Sequence, residues 1–93
     1  MYQLEDKQPY EEIPGVFFDF RNRLMPGESI ESATVICDNP AMLGAGSVSF
    51  SGTVVTWKII GGNHGDTAIF TVRVVGSLGS KCEAEMHINV VET

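Results

Sequence analysis

Apolar residues recur at every second position through the last third of the chain. From Gly65 to Val75, Phe70, Val72 and Val74 share one face; from Ser80 to Val91, Cys82, Ala84, Met86, Ile88 and Val90 do the same. The alternate positions Thr71, Arg73, Glu83, Glu85, His87 and Asn89 are polar. Between the runs stands Gly76-Ser77-Leu78-Gly79. A two-residue period broken by a glycine-bounded turn predicts an antiparallel hairpin with one buried and one wet face. The period continues upstream. Thr53–Ile60 turns Val55, Trp57 and Ile59 to one side, and a run of about Ser29–Cys37 does so with Ala33, Val35 and Cys37. Val16–Phe20 places Phe18 and Phe20 together, with Phe17 and Asp19 opposite, and a short strand is expected near Ser47–Ser51. Pro26-Gly27, Asp38-Asn39-Pro40 and the Gly61–Asp66 loop supply turn chemistry between them. Strands at this spacing predict an all-β antiparallel sandwich of about six to seven strands. No stretch longer than a turn shows a helical period.

The expected core is the inward set Phe18, Phe20, Val35, Cys37, Val55, Trp57, Ile59, Phe70, Val72, Val74, Ala84, Met86 and Ile88. A chain of 93 residues supports one such core. Full burial of Trp57 and Phe70 contributes on the order of 2–3 kcal/mol each from apolar area. Residues 1–15 differ in kind: they hold Pro9 and Pro14, carry dense charge and have no period. They are expected to form an extended N-terminal arm ahead of a domain over 16–93, or else a frayed terminus. Tyr2, Leu4, Tyr10 and Ile13, with Phe17 at the start of the domain, are the candidate partner contacts, because apolar anchors let an arm order on a neighbour. The prolines confine any pairing of that arm to a sheet edge.

Six basic residues against twelve acidic give a net charge of −6. That excludes nucleic-acid and anionic-membrane partners, which need clustered Lys and Arg. It leaves solubility or fit to a basic protein surface. The opening Met1–Lys7 lacks a basic region followed by an apolar one, so synthesis in a reducing cytoplasm is expected. No apolar run approaches the roughly 18–20 residues of a membrane helix. Cys37 and Cys82 both fall on apolar phases. A disulfide between sheets is conceivable there, but free thiols behave as small core residues and suit a reducing compartment.

Chemistry is sparse. A nucleophile, a base and an orienting acid would have to come from Cys37 or Cys82, His64 or His87, and scattered carboxylates. Asn63, His64 and Asp66 offer only one carboxylate to a cation, and the glycines around them explain the loop as a turn. No phosphate loop, dinucleotide fingerprint or zinc motif is present. No catalytic, metal or cofactor-binding residue is therefore assigned, and binding through surfaces and open strand edges becomes the expected mode.

Phe18-Asp19-Phe20, Leu24 and Gly27-Glu28-Ser29-Ile30 together resemble the opening signature of small immunoglobulin-like bacteriophage virion proteins. Gly61-Gly62, Gly65 before an aromatic strand and the final hairpin are similar to the rest of that pattern, over residues 16–91. The chain departs from it at Val35, where a Trp is common, and at Arg23, where an aromatic is usual. The resemblance implies an immunoglobulin-like fold and a non-enzymatic structural part of a tailed phage, made and assembled in the host cytoplasm. Its partners would be other virion proteins of the tail, neck, fibre or capsid, with self-association in a symmetric ring as a further possibility. A tail-fibre adaptor or neck accessory is the expected role. Capsid decoration is the alternative within the class, and a soluble carbohydrate- or protein-binding module is the alternative outside it.

Overall fold

Alternating sequence becomes two sheets packed face to face. The computed structural model describes residues 2–93. The strands are β1 Tyr2–Gln3, β2 Ile13–Asp19, β3 Ile30–Cys37, β4 Ser49–Ser51, β5 Val54–Ile59, β6 Thr67–Gly76 and β7 Lys81–Asn89. They form one sheet of order β1-β7-β6-β3 and another of order β2-β5-β4. The chain is thus an all-β sandwich of seven strands. A 3-10 turn at Pro40–Met42 is the one helical element among the described residues.

The closing hairpin pairs β6 with β7 from Thr67↔Asn89 to Val75↔Lys81, and β3 lies antiparallel on the other side of β6. Ala68, Phe70, Val72 and Val74 of β6 are buried with Ala84, Met86 and Ile88 of β7 and Val35 and Cys37 of β3. Val55, Trp57 and Ile59 of β5 meet them from the opposite sheet, the Trp57 and Phe70 rings tilted at 6.0 Å. Phe20 is fully buried. Phe18 is half-buried instead, in an edge-to-face row between Tyr2 at 4.8 Å and Phe20 at 4.7 Å. Met42, Leu24, Ile30 and Val90 complete the core.

Several local expectations change. The strand expected from Val16 starts at Ile13, because a bulge between Ile13 and Val16 takes up Pro14 and a left-handed Gly15 (φ 75°). Cys37 and Cys82 lie in the same sheet rather than in opposite ones. Cys37 sits beside Phe70 and Cys82 beside Val74, about 13 Å apart along β6 at the usual strand rise. That is beyond disulfide reach, and both thiols are free. Cys82 is only half-buried, its thiol 3.4 Å from the Arg23 carbonyl. His87, expected on a wet face, is half-buried with Nε2 shut from solvent, because β1 runs beside it at Gln3.

The segment expected as an arm is extended and follows β7. β1 pairs with β7 in parallel, Tyr2↔Met86 and Gln3↔His87, the one parallel strand pair among the described residues. The Leu4 amide donates to the His87 carbonyl at 2.8 Å, the Lys7 amide to that of Asn89 at 3.0 Å, and Val91 returns a bond to the Lys7 carbonyl at 2.8 Å. Met1, which opens the expected arm, lies outside the described residues.

Candidate partner-binding surfaces

The sandwich measures 44 × 24 × 18 Å, so it has two distinct ends. At one, the loop after β2, the β4–β5 turn and the β6–β7 turn converge. Ile30 N–H donates to the Gly52 carbonyl at 2.8 Å, and Ser77 N–H to the Ser29 carbonyl at 2.8 Å. The centre of this end is Glu28, a carboxylate only 4 % exposed. Its Oε1 accepts from the Met25 amide at 2.9 Å; its Oε2 accepts from Leu78 at 2.8 Å and Ser80 at 3.2 Å. Hydrogen bonds from Ser80 and from the Met25 and Leu78 amides outweigh burial and pull its pKa down to about 2. A Cβ at Gly76 would collide with that carboxylate, so any larger residue there would have to displace Glu28 from its amides. Beside it, Asp19 Oδ1 accepts from the Thr53 hydroxyl at 2.7 Å and the Arg21 amide at 2.9 Å, which lowers its pKa. Phe20 N–H donates to Thr53 O at 2.8 Å. The aromatic-Asp-aromatic and Gly-Glu-Ser-Ile runs are thus the two halves of one end closure.

The opposite end gathers the N-terminal segment, the Gly61–Asp66 loop and the residues after β7. Lys7 is 1 % exposed, its ammonium donating to the Gln8 carbonyl at 2.7 Å. Burial lowers its pKa, against the opposing pull of Glu11 and Glu12. A tight turn follows, Gln8 N–H to Glu11 Oε1 at 2.6 Å, and Glu12 reaches Lys58 Nζ at 2.9 Å. The Glu92 amide donates to His64 Nδ1 at 2.9 Å.

Charge divides between these ends. Beyond the row Val35–Val72–Ala84, toward the N-terminal segment, lie Glu5, Asp6, Glu11, Glu12, Asp38, Asp66, Glu85 and Glu92 against Lys7 and Lys58. That half holds the whole charge of −6. In the other half Asp19, Glu28, Glu31 and Glu83 balance Arg21, Arg23, Arg73 and Lys81.

The expected contact residues fall on the acidic half and along the open edge of β2, but not as one patch. Tyr10 is 96 % exposed, Phe17 is exposed on the outer face and Tyr2 is partly exposed at the seam. Leu4 and Ile13 are half-buried and, with Val16, Ile59 and Ile88, line a groove of about 230 Å³ rimmed by Glu5. Since Phe20 bonds to Thr53, the alternation of an antiparallel ladder turns the Phe17 and Asp19 amides away from β5, toward the open edge. Four further exposed apolar residues were not singled out from sequence: Met25 and Leu78 at the Glu28 end, Ile36 on the edge strand β3 and Phe50 on the edge strand β4. Turn residues and edge positions give no periodic signal.

The residues weighed for catalysis are dispersed. Cys37 is buried, and burial pushes its thiol pKa up. His64 is occupied by the Glu92 amide. No group of three or more metal-ligating side chains is found among the described residues. A family model described as podophage GP4 fiber-tail adaptor protein gp77 matches residues 7–89. No curated protein matches the chain.

Proposed function

The chain belongs to the podophage GP4 fiber-tail adaptor gp77 family, and from that premise we propose that it is a non-enzymatic immunoglobulin-like virion protein joining a phage tail to its fibres. Family membership over nearly the whole sandwich is the observation that carries this reading. Strand order supports the immunoglobulin-like part. In chain order the strands correspond to A through G, giving B-E-D on one sheet and C-F-G on the other, with A moved onto the edge of G.

An adaptor acts by holding two proteins together, so its working parts are surfaces rather than a cleft. One such surface is the acidic half, where residues 2–15 precede the domain proper. Tyr10 and Phe17 offer aromatic anchors to a virion protein, while Leu4 and Ile13 fix the segment that carries Tyr2 and Tyr10. The concentration of charge there fits a basic partner and makes this attachment sensitive to salt. On this reading the protein is a component of the virion, made and assembled in the host cytoplasm.

The test is a phage in which this chain is not made. Its particles should carry tails but lack fibres, and adding the purified protein should restore them. Fully fibred particles in its absence would overturn the proposal.

A further inference from the structure

The edge strands of the two sheets are not equally guarded. β1 and β4 span two and three residues, and β2 is interrupted by the Pro14–Gly15 bulge and ends on Asp19. From Ser32 to Cys37, β3 holds no charge, proline or glycine, and Thr34, Val35 and Ile36 are β-branched in succession. Its register shift falls before Ser32. Edges are normally blunted by charge, proline, bulges or shortness, and a neutral β-prone strand left open is a template for another strand.

The backbone of that edge is in phase for pairing. The Asp38 amide donates to the Ile69 carbonyl at 3.2 Å, which fixes the alternation of the β3–β6 ladder. Ser32, Thr34 and Ile36 therefore bond to β6, and the amides and carbonyls of Ala33, Val35 and Cys37 face the open side. The same flank is apolar on both faces of the strand. Ile36 is 48 % exposed on the outer face. Beneath β3 lies β4, whose Phe50 pairs with the buried Val55 and so faces inward, yet is 43 % exposed. On the opposite flank Tyr2 of β1 packs against Phe18 of β2.

We infer that β3 pairs antiparallel with β3 of a second copy of this chain, about a two-fold axis at Val35, joining the two four-stranded sheets into one. That axis sets Val35 opposite Val35 and Ala33 opposite Cys37 of the second copy, so every outward residue meets another and each pair exchanges both N–H···O bonds. Thr34 then meets Ile36 of the second copy on the outer face. Charge selects the same occupant and the same direction. The row Val35–Val72–Ala84 divides the half that holds the whole charge of −6 from the balanced half. A two-fold at Val35 lays the acidic half of each copy beside the balanced half of the other, whereas parallel pairing would set acid against acid. The inference goes beyond the adaptor reading and does not depend on it.

The experiment is sedimentation equilibrium on the purified full-length chain in reducing buffer, from about 1 to 500 μM. The mass should rise from one chain to two and stop there. Thr34→Lys/Ile36→Lys changes two exposed side chains and sets lysine against lysine across the joint. It should weaken association by about tenfold or more while the melting temperature stays close to that of the wild type. Phe17→Lys, on the edge of β2, should leave association unchanged. Hydrogen exchange at high against low protein concentration should show new protection at Ala33, Val35 and Cys37, and none at Phe17 and Asp19. A single-chain mass throughout, growth past two copies, or association without that protection or indifferent to the paired lysines would overturn the inference. None of these outcomes alters what a phage lacking the chain reports about fibres, so the two readings fail separately.

Discussion

Each end of this sandwich buries one charged side chain, and the two are treated in opposite ways. Glu28 is ringed by backbone amides whose hydrogen bonds favour its charged form, so its pKa falls to about 2. Lys7 has carbonyl acceptors at 2.7 Å and 3.5 Å, yet desolvation dominates and its pKa falls too. For an acid a lowered pKa means the fold gains from the charge; for a lysine it means the fold is strained by it. The carboxylate end is a fastening. The lysine end is a tolerated burial in the segment that follows the two-residue strand β1 and bridges to Val90, and it should open more readily.

The largest perturbation removes what both ends share. Phe70→Ala should cost roughly 3–5 kcal/mol, seen as an early midpoint in denaturant, and should abolish the contrast by loosening both ends together. Gly76→Ala should act on one end only. The added Cβ displaces the Glu28 carboxylate, so hydrogen exchange should accelerate at Leu78 and Ser80 while Leu4 and Lys7 keep their protection.

Glu28→Gln is gentler and dissects the charge. The folded pKa lies below the ordinary value of 4.5, so the carboxylate stabilises the wild type above pH 4.5 and that advantage fades as pH falls toward about 2. The gap in melting temperature between wild type and variant should therefore be widest near neutrality and close in acid. A gap independent of pH would mean that shape, not charge, does the fastening. The smallest effect is expected at Lys7→Met. The lowered pKa of Lys7 predicts that the wild type gains stability as pH rises from that folded value through 10.5, as the strained charge is shed. The variant should lose this alkaline gain, with little change in melting temperature at neutral pH.

These ends were also unequally legible. Alternation is written locally, so which face of the closing hairpin turns inward can be read residue by residue from Phe70 to Ile88. Glu28 could be noticed only as part of a family-like run, because two of its three amide partners, Leu78 and Ser80, stand fifty residues or more further along the chain. Met42 enters the core from a 3-10 turn, whose sequence has no strand period. Lys7 ran against expectation because lysines are seldom buried, and its burial depends on parallel pairing with β7, which no short-range pattern encodes. The exposed Met25 and Leu78 were invisible for the same reason: turns carry no repeat, and only the closed end reveals that their amides share one anchor.

The central claim, that this chain links tail to fibre, is tested most directly on purified particles separated into capsids and tails, with the chain quantified in each by mass spectrometry. The account expects it in the tail fraction, in fixed ratio to the fibres, and depleted when fibres are stripped or absent. Recovery with capsids in proportion to the shell protein would contradict it and indicate decoration instead.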